Sequence, residues 1–258
     1  MPEIPLETNF SVPWNTFALR GTLLHAPGGA PSAASIREPG PILLLHGAGA
    51  GESARFTTLR ERLAAAGLGS ISFDFVGHGK TGGELSASSL AARDEQAEEI
   101  IKQVCLKRPQ VLWGSSMGAY NAVRLSQTVE PEVLVLSVPA VYHPDAYRVP
   151  FGPEFTRIIR QERSWEQSDA WEILAHFRGH LLILAGGQDK VIPGEIPRRL
   201  MDAAQNSLSK RVKMYSEADH HVIRYLEQAP AEFDELIDEV SRLVHATRSP
   251  AIEDCACK

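Results

Sequence analysis

The chain has 258 residues, 43% of them hydrophobic and 22% charged, and a formal net charge of −6. That length suits one large domain or two small ones with a sizeable core, and the composition is that of an ordinary globular chain. Net acidity argues against a nucleic-acid partner, whose phosphates need clustered Lys and Arg; no apolar run approaches the roughly 20 residues of a membrane helix; three cysteines are too few for a disulfide scaffold.

The N-terminal stretch MPEIPLETNFSVPWNTF has neither a basic start nor a continuous apolar core. It does not read as a signal peptide, and the expected location is cytoplasmic. Two strands are expected around 8–12 and 17–25, at an antiparallel sheet edge where a break at Pro13 is tolerated. Residues 26–40, rich in Gly, Pro, Ala and Ser, read as a loop. Short apolar runs at 41–47, 68–75, 110–115, 132–138, 180–186 and 211–217 then alternate with helical patterns at 54–66, 89–106, 117–128, 194–207 and 225–246. Such alternation predicts an α/β fold, a mostly parallel eight-stranded sheet flanked by helices on both faces. One domain spanning 1–258 is expected, with a small cap insertion at 139–178. Cys105 lies in a helical pattern and reads as a small hydrophobe. Cys255 and Cys257, in the tail EDCACK, read as a loose reduced terminus. No His or Cys spacing suggests a metal site.

The chemistry concentrates in VLWGSSMGAY, residues 111–120. A strand runs into Gly114-Ser115-Ser116-Met117-Gly118 and then into a helix, which is the Gly-x-Ser-x-Gly nucleophile elbow. The turn strains the backbone at the serine, and small residues two before and two after let strand and helix approach. Gly114 and Gly118 occupy those places relative to Ser116. Ser115 has glycine at neither, so Ser116 is the candidate nucleophile. Helix-end amides there favour developing negative charge.

A serine hydroxyl needs a base, and the base an orienting acid, in the chain order Ser, acid, His. Two strand ends supply candidates. LLILAGGQDKVIP (181–193) carries Asp189 in a Gly-rich turn. YSEADHHVIRYL (215–226) carries Asp219, His220 and His221. Asp189 is the better acid, because the side chain of Asp219 would have to fold back on its own neighbour. His220 is favoured as base, since Val222 can pack beneath the loop, but His221 remains open. The oxyanion needs amide donors. Met117, after the nucleophile, supplies one. Ala48, in the loop His46-Gly47-Ala48-Gly49-Ala50-Gly51, is the choice for the other. That loop is not a phosphate cradle: no Lys-Ser or Lys-Thr follows it, and position 52 is Glu instead of a third glycine.

With these motifs together the chain resembles the α/β-hydrolases, and among them the monoglyceride lipase and serine-aminopeptidase-like esterases. The stretches that carry the likeness are His46 to Gly49, Asp74-Phe75-Val76-Gly77-His78-Gly79-Lys80-Thr81, Gly114 to Gly118, Gly187-Gln188-Asp189 through Pro193, and Ala218-Asp219-His220. The likeness covers residues 40 to 245. It implies that 74–81 is a structural turn beside the site. A histidine often precedes the nucleophile in that family; here the position is Ser115. In the insertion, Phe155 and Trp165 are candidates for lining an acyl pocket along with Tyr142, Tyr147, Phe151 and Trp171. The insertion's arginines are offset by its acids, so steering of an anionic substrate is not expected. The expected activity is hydrolysis of small-molecule carboxylic esters or thioesters with an apolar acyl group, requiring no metal or organic cofactor. The same triad could serve peptide hydrolysis, acyl transfer or C–C cleavage, and a slow ligand-binding member of the fold is the non-enzymatic alternative.

Overall fold

Strands β3 (Ile42–Leu45), β4 (Ser70–Phe73) and β6 (Val133–Ser137) are buried at every position, as strands covered on both faces must be. The structure is a computed structural model that describes residues 6–27, 42–49, 51–105 and 109–246. With β1 (Glu7–Trp14), β2 (Phe17–Leu24), β5 (Val111–Ser115), β7 (His180–Gly186) and β8 (Ser209–Tyr215), they form one eight-stranded sheet in the order β1-β2-β4-β3-β5-β6-β7-β8. β1 and β2 run antiparallel at one edge, and β3 to β8 are mutually parallel. Strand β1 does not break at Pro13: it continues to Trp14, with Pro13 opposite Ala18. An edge strand tolerates this because half of its amides face away from the sheet.

Successive residues point to opposite faces, so each strand feeds two cores. Leu43, Leu45, Leu112, Leu134 and Ile183 pack on one side with α2 (Leu90–Val104) and α3 (Met117–Val129). Ile42, Leu44, Trp113, Val135 and Leu182 pack on the other with α1 (Thr57–Ala65) and α8 (Pro230–Ala246). Trp113 is fully buried, and its indole N–H is satisfied by Ser137 Oγ at 2.9 Å.

Three helices differ from the sequence pattern. The run 225–246 is two helices, α7 (Val222–Gln228) and α8, because Pro230 lacks the N–H to continue the first and takes the opening position of the second. The first turn of 54–66 is a 3-10 turn over Ser53–Phe56, and α6 (Glu195–Ala203) ends four residues short of 207. The expected loop lies outside the described residues from position 28 on, as do Cys255 and Cys257. Among the described residues no helix is long and apolar enough to cross a membrane.

Between β6 and β7, the insertion carries α4 (Pro153–Ile159) and α5 (Ala170–His176). A polar cluster ties it to the sheet-packed helices. Tyr147 donates to Asp94 Oδ2 at 2.8 Å, and Tyr120 to Asp169 Oδ1 at 2.7 Å. Arg124 bridges Asp94 and Asp169 and lies over the Tyr147 ring. Burial pushes the Asp94 carboxyl up to about 6, against the hydrogen bonds it accepts from Asn121 and Tyr147.

Candidate active site

Parallel register brings the carboxyl ends of β3, β5, β6 and β7 to one edge, where the connecting loops meet. At the end of β5 the chain turns directly into α3. A side chain at position 114 would press within 2.3 Å of the Gly118 carbonyl, and one at position 118 within 2.1 Å of the Leu45 carbonyl. The two glycines therefore set the closeness of strand, helix and loop. Between them Ser116 sits at φ 53°, ψ −116°, in the left-handed half of backbone space. Such a conformation costs about 1–3 kcal/mol and persists where surroundings impose it. Here the Ser116 N–H is held by the Ser137 carbonyl at 2.9 Å, and the Ser116 carbonyl accepts from Ala119 at 3.0 Å and Ala140 at 3.2 Å.

The Ser116 hydroxyl lies 3.0 Å from His220 Nε2, and His220 Nδ1 lies 2.8 Å from Asp189 Oδ2. The other carboxylate oxygen of Asp189 accepts the amides of Val191 at 2.7 Å and Ile192 at 3.0 Å. A carboxylate so placed requires a proton on Nδ1, which leaves Nε2 as an acceptor for the serine proton. The two loops are laced together: Gly187 N–H reaches the Tyr215 carbonyl at 2.8 Å, and Gln188 N–H the Ala218 carbonyl at 2.9 Å. The second histidine stands outside this hydrogen-bonded chain. His221 is exposed, and Asp219 accepts its backbone N–H at 2.7 Å and pairs with Arg224 at 3.0 Å. Of the two neighbouring His–Asp combinations that the sequence leaves open, His220 with Asp189 is the one in contact with Ser116.

The loop after β3 crosses over the serine, such that a Cβ on Gly47 would lie 3.2 Å from Ser116 Cβ and 3.8 Å from its hydroxyl. His46 anchors it. Phe75 N–H donates to His46 Nε2 at 3.1 Å, so the ring proton is on Nδ1, which donates to the Gly47 carbonyl at 2.7 Å. Burial, then the nearby Arg93 charge, hold the His46 imidazole well below its ordinary pKa and neutral. Ala48 and Met117 line one cleft of about 450 Å³ with Gly49, His78, Phe151 and Phe155. Trp165 does not line it. Its ring meets Trp171 edge-on at 6.4 Å and lies under Arg163 at 4.9 Å, since the 3-10 turn over Ser164–Gln167 directs it toward α6. A second cavity, of about 320 Å³, opens on the histidine side and is bordered by Ser115, Ser137, His220, His221, Arg55 and Arg224. A larger one, of about 590 Å³, lies by Glu132 and Phe177 and contains none of these groups.

Asp74 accepts the amides of Ser53 at 2.7 Å and Lys80 at 2.8 Å, and Thr81 bonds its carbonyl at 2.6 Å. This carboxylate braces the 74–81 turn. Nothing in the sequence pattern singles out Arg93, a charged residue in a helix, yet it is fully buried behind the loop at 46–48. Among the described residues no group of three or more His, Cys, Asp or Glu side chains could hold a metal ion.

An eight-stranded, mostly parallel sheet with a serine at a strained strand-to-helix turn is the α/β-hydrolase fold. The family described as serine aminopeptidase, S33, matches residues 38–165, just under half of the chain. An uncharacterised protein of Mycobacterium tuberculosis is 29% identical over 64% of the chain and 58% of its own length. A lysophosphatidylserine lipase of Danio rerio is 29% identical over 65% of the chain and 48% of its own length. The chain thus matches only about half of the length of these curated relatives. The solved structure of a monoacylglycerol lipase from Paleococcus ferrophilus superposes with a TM-score of 0.64 at 22% identity, covering 80% of this chain and 96% of that one.

Proposed function

We propose that the protein is a serine hydrolase cleaving carboxylic esters or thioesters through an acyl-enzyme. The observation that carries this reading is the unbroken hydrogen-bonded chain from Ser116 through His220 to Asp189, anchored at a strained elbow. His220 Nε2 takes the Ser116 proton as the oxygen attacks the carbonyl. Asp189 keeps the imidazole in the required tautomer and stabilises the imidazolium that forms. Negative charge on the carbonyl oxygen is met by the amides of Ala48 and Met117. The acyl group occupies the cleft bordered by Phe151 and Phe155, and the leaving group departs on the His220 side, protonated by the imidazolium. His220 then activates water, which releases the acid. All of these steps are within the reach of protein groups, and the partner is a small-molecule substrate.

Two ester-cleaving proteins among the relatives and solved structures, a lysophosphatidylserine lipase and a monoacylglycerol lipase, support the ester reading. The serine aminopeptidase description of the matched family favours peptide hydrolysis as the second. Initial rates on a p-nitrophenyl ester and on an amino-acid p-nitroanilide separate them. The site itself is tested by a fluorophosphonate probe: Ser116→Ala should abolish covalent labelling and Ser115→Ala should leave most of it. Labelling that survives in Ser116→Ala overturns the assignment.

A further inference from the structure

The guanidinium of Arg93, on the inward face of α2, lies against the Phe75 ring, 3.9 Å from its centre. One terminal nitrogen donates to the His46 carbonyl. The other reaches the Gly47 carbonyl at 3.4 Å and the Met117 sulfur at 3.2 Å. Its Nε has no hydrogen-bond partner among the described residues. Asp94, next in sequence, bonds Asn121, Arg124 and Tyr147 instead. Burial without a carboxylate partner is unfavourable for a cation, and it lowers the Arg93 pKa to about 9. For packing alone, an apolar side chain would serve this position better.

The Gly47 carbonyl and the Ala48 N–H are opposite edges of one planar trans peptide. Donors on the carbonyl edge fix where the N–H edge points. They also polarise the unit, which makes the N–H a stronger donor. Gly47 receives two such donors, Arg93 and His46 Nδ1, the latter at 2.7 Å. Because the same Arg93 nitrogen touches the Met117 side chain, the cation borders both residues whose amides face the carbonyl oxygen in the proposed reaction.

We propose that Arg93 is the positioning residue of the oxyanion pocket: a buried cation that orients and polarises the Gly47–Ala48 peptide and whose field favours negative charge on the attacked carbonyl oxygen. The proposal rests on Ser116 being the nucleophile. It does not require Arg93 to touch substrate. It acts on the charged adduct and leaves the neutral ground state nearly unaffected.

The experiment compares the full-length enzyme with Arg93→Gln and Arg93→Lys. Rates on p-nitrophenyl acetate are divided by the concentration of sites titrated with a fluorophosphonate, so unfolded protein does not count. Inhibition is measured with an alkyl trifluoromethyl ketone, which forms a hemiketal oxyanion on the serine, and with the matching trifluoromethyl alcohol, which forms no adduct. For Arg93→Gln, kcat should fall about ten- to a hundredfold with KM changed less than about threefold. The ketone's inhibition constant should rise by the same factor as kcat falls, while that of the alcohol stays put. Arg93→Lys keeps the charge without the fork and should recover part of the loss. Equal weakening of ketone and alcohol, or an unchanged ketone constant, overturns the proposal and leaves Arg93 a packing residue. If Arg93→Gln yields no titratable sites, Phe75→Leu removes the ring from under the cation and keeps its hydrogen bonds. That variant should weaken the ketone alone, by a few-fold, and no selective change overturns the proposal. A failure of the underlying reading looks different: the wild-type enzyme itself would then give neither a burst nor ketone inhibition.

Discussion

Asp189→Asn changes one atom and should disable the site almost completely. The carboxylate has two different faces: Oδ1 accepts two backbone amides, from Val191 and Ile192, while Oδ2 faces His220 Nδ1 at 2.8 Å. An asparagine carboxamide must keep its oxygen toward the two N–H groups, because turning it over would set an NH₂ against two donors and lose both hydrogen bonds. Its NH₂ therefore replaces Oδ2 and points at the imidazole. A donor there requires a lone pair on Nδ1, which moves the ring proton to Nε2, the nitrogen 3.0 Å from Ser116. That nitrogen can no longer accept the serine proton. The geometry of the site survives while the tautomer is wrong, a change worth roughly four orders of magnitude in kcat in serine hydrolases, or about 5 kcal/mol in the barrier. The assay is burst kinetics with p-nitrophenyl butyrate, with folding checked by thermal melt. A well-folded variant with less than a tenfold loss would refute the reasoning, since it would mean that Asp189 does not set the tautomer.

Further outcomes are expected from the same geometry. His220→Ala should lower turnover by about three orders of magnitude or more, because members of a triad act as a unit; His221→Ala and Asp219→Asn should stay within about threefold, as Asp219 is taken up by Arg224 and the His221 amide, and the hydrogen-bonded chain from Ser116 runs through His220 and Asp189. Phe155→Ala should reduce kcat/KM for octanoyl esters more than for acetyl esters, and Trp165→Ala should leave that ratio unchanged; a chain-length sweep of p-nitrophenyl esters decides both. Because the Asp94 carboxyl is raised to about 6 in the folded state from its ordinary 3.8, the folded protein holds that proton more tightly than the unfolded chain. Its contribution is therefore most favourable below about pH 4 and is lost as pH rises through about 6, by up to ~3 kcal/mol for a shift of about two units. Urea denaturation should show wild type losing stability relative to Asp94→Asn across that window, and parallel pH curves would contradict the assignment.

The parts of this protein legible in the sequence are those that short-range chemistry sets. Alternating apolar runs and helical patterns are local, so the parallel sheet and its antiparallel edge can be read from them. The elbow is local too, because Gly114 and Gly118 must be small for strand β5 and helix α3 to meet at Ser116. Asp189 follows from chain order and the end of a strand. Beyond that, tertiary contacts decide. Adjacent His220 and His221 differ by one step of backbone, and which imidazole reaches the serine 104 positions away depends on how Gly187 and Gln188 tie the two loops together. Trp165 has the composition of a pocket residue, but packing against Trp171 and Arg199 turns it from the cleft. Pro230 interrupts an otherwise continuous helical pattern through a missing hydrogen bond that periodicity does not register. Arg93 is the clearest case: a charge on an amphipathic helix reads as a solvated face, and only the folded chain, closing the 46–48 loop and Phe75 over it, makes it a buried cation against the His46 and Gly47 carbonyls.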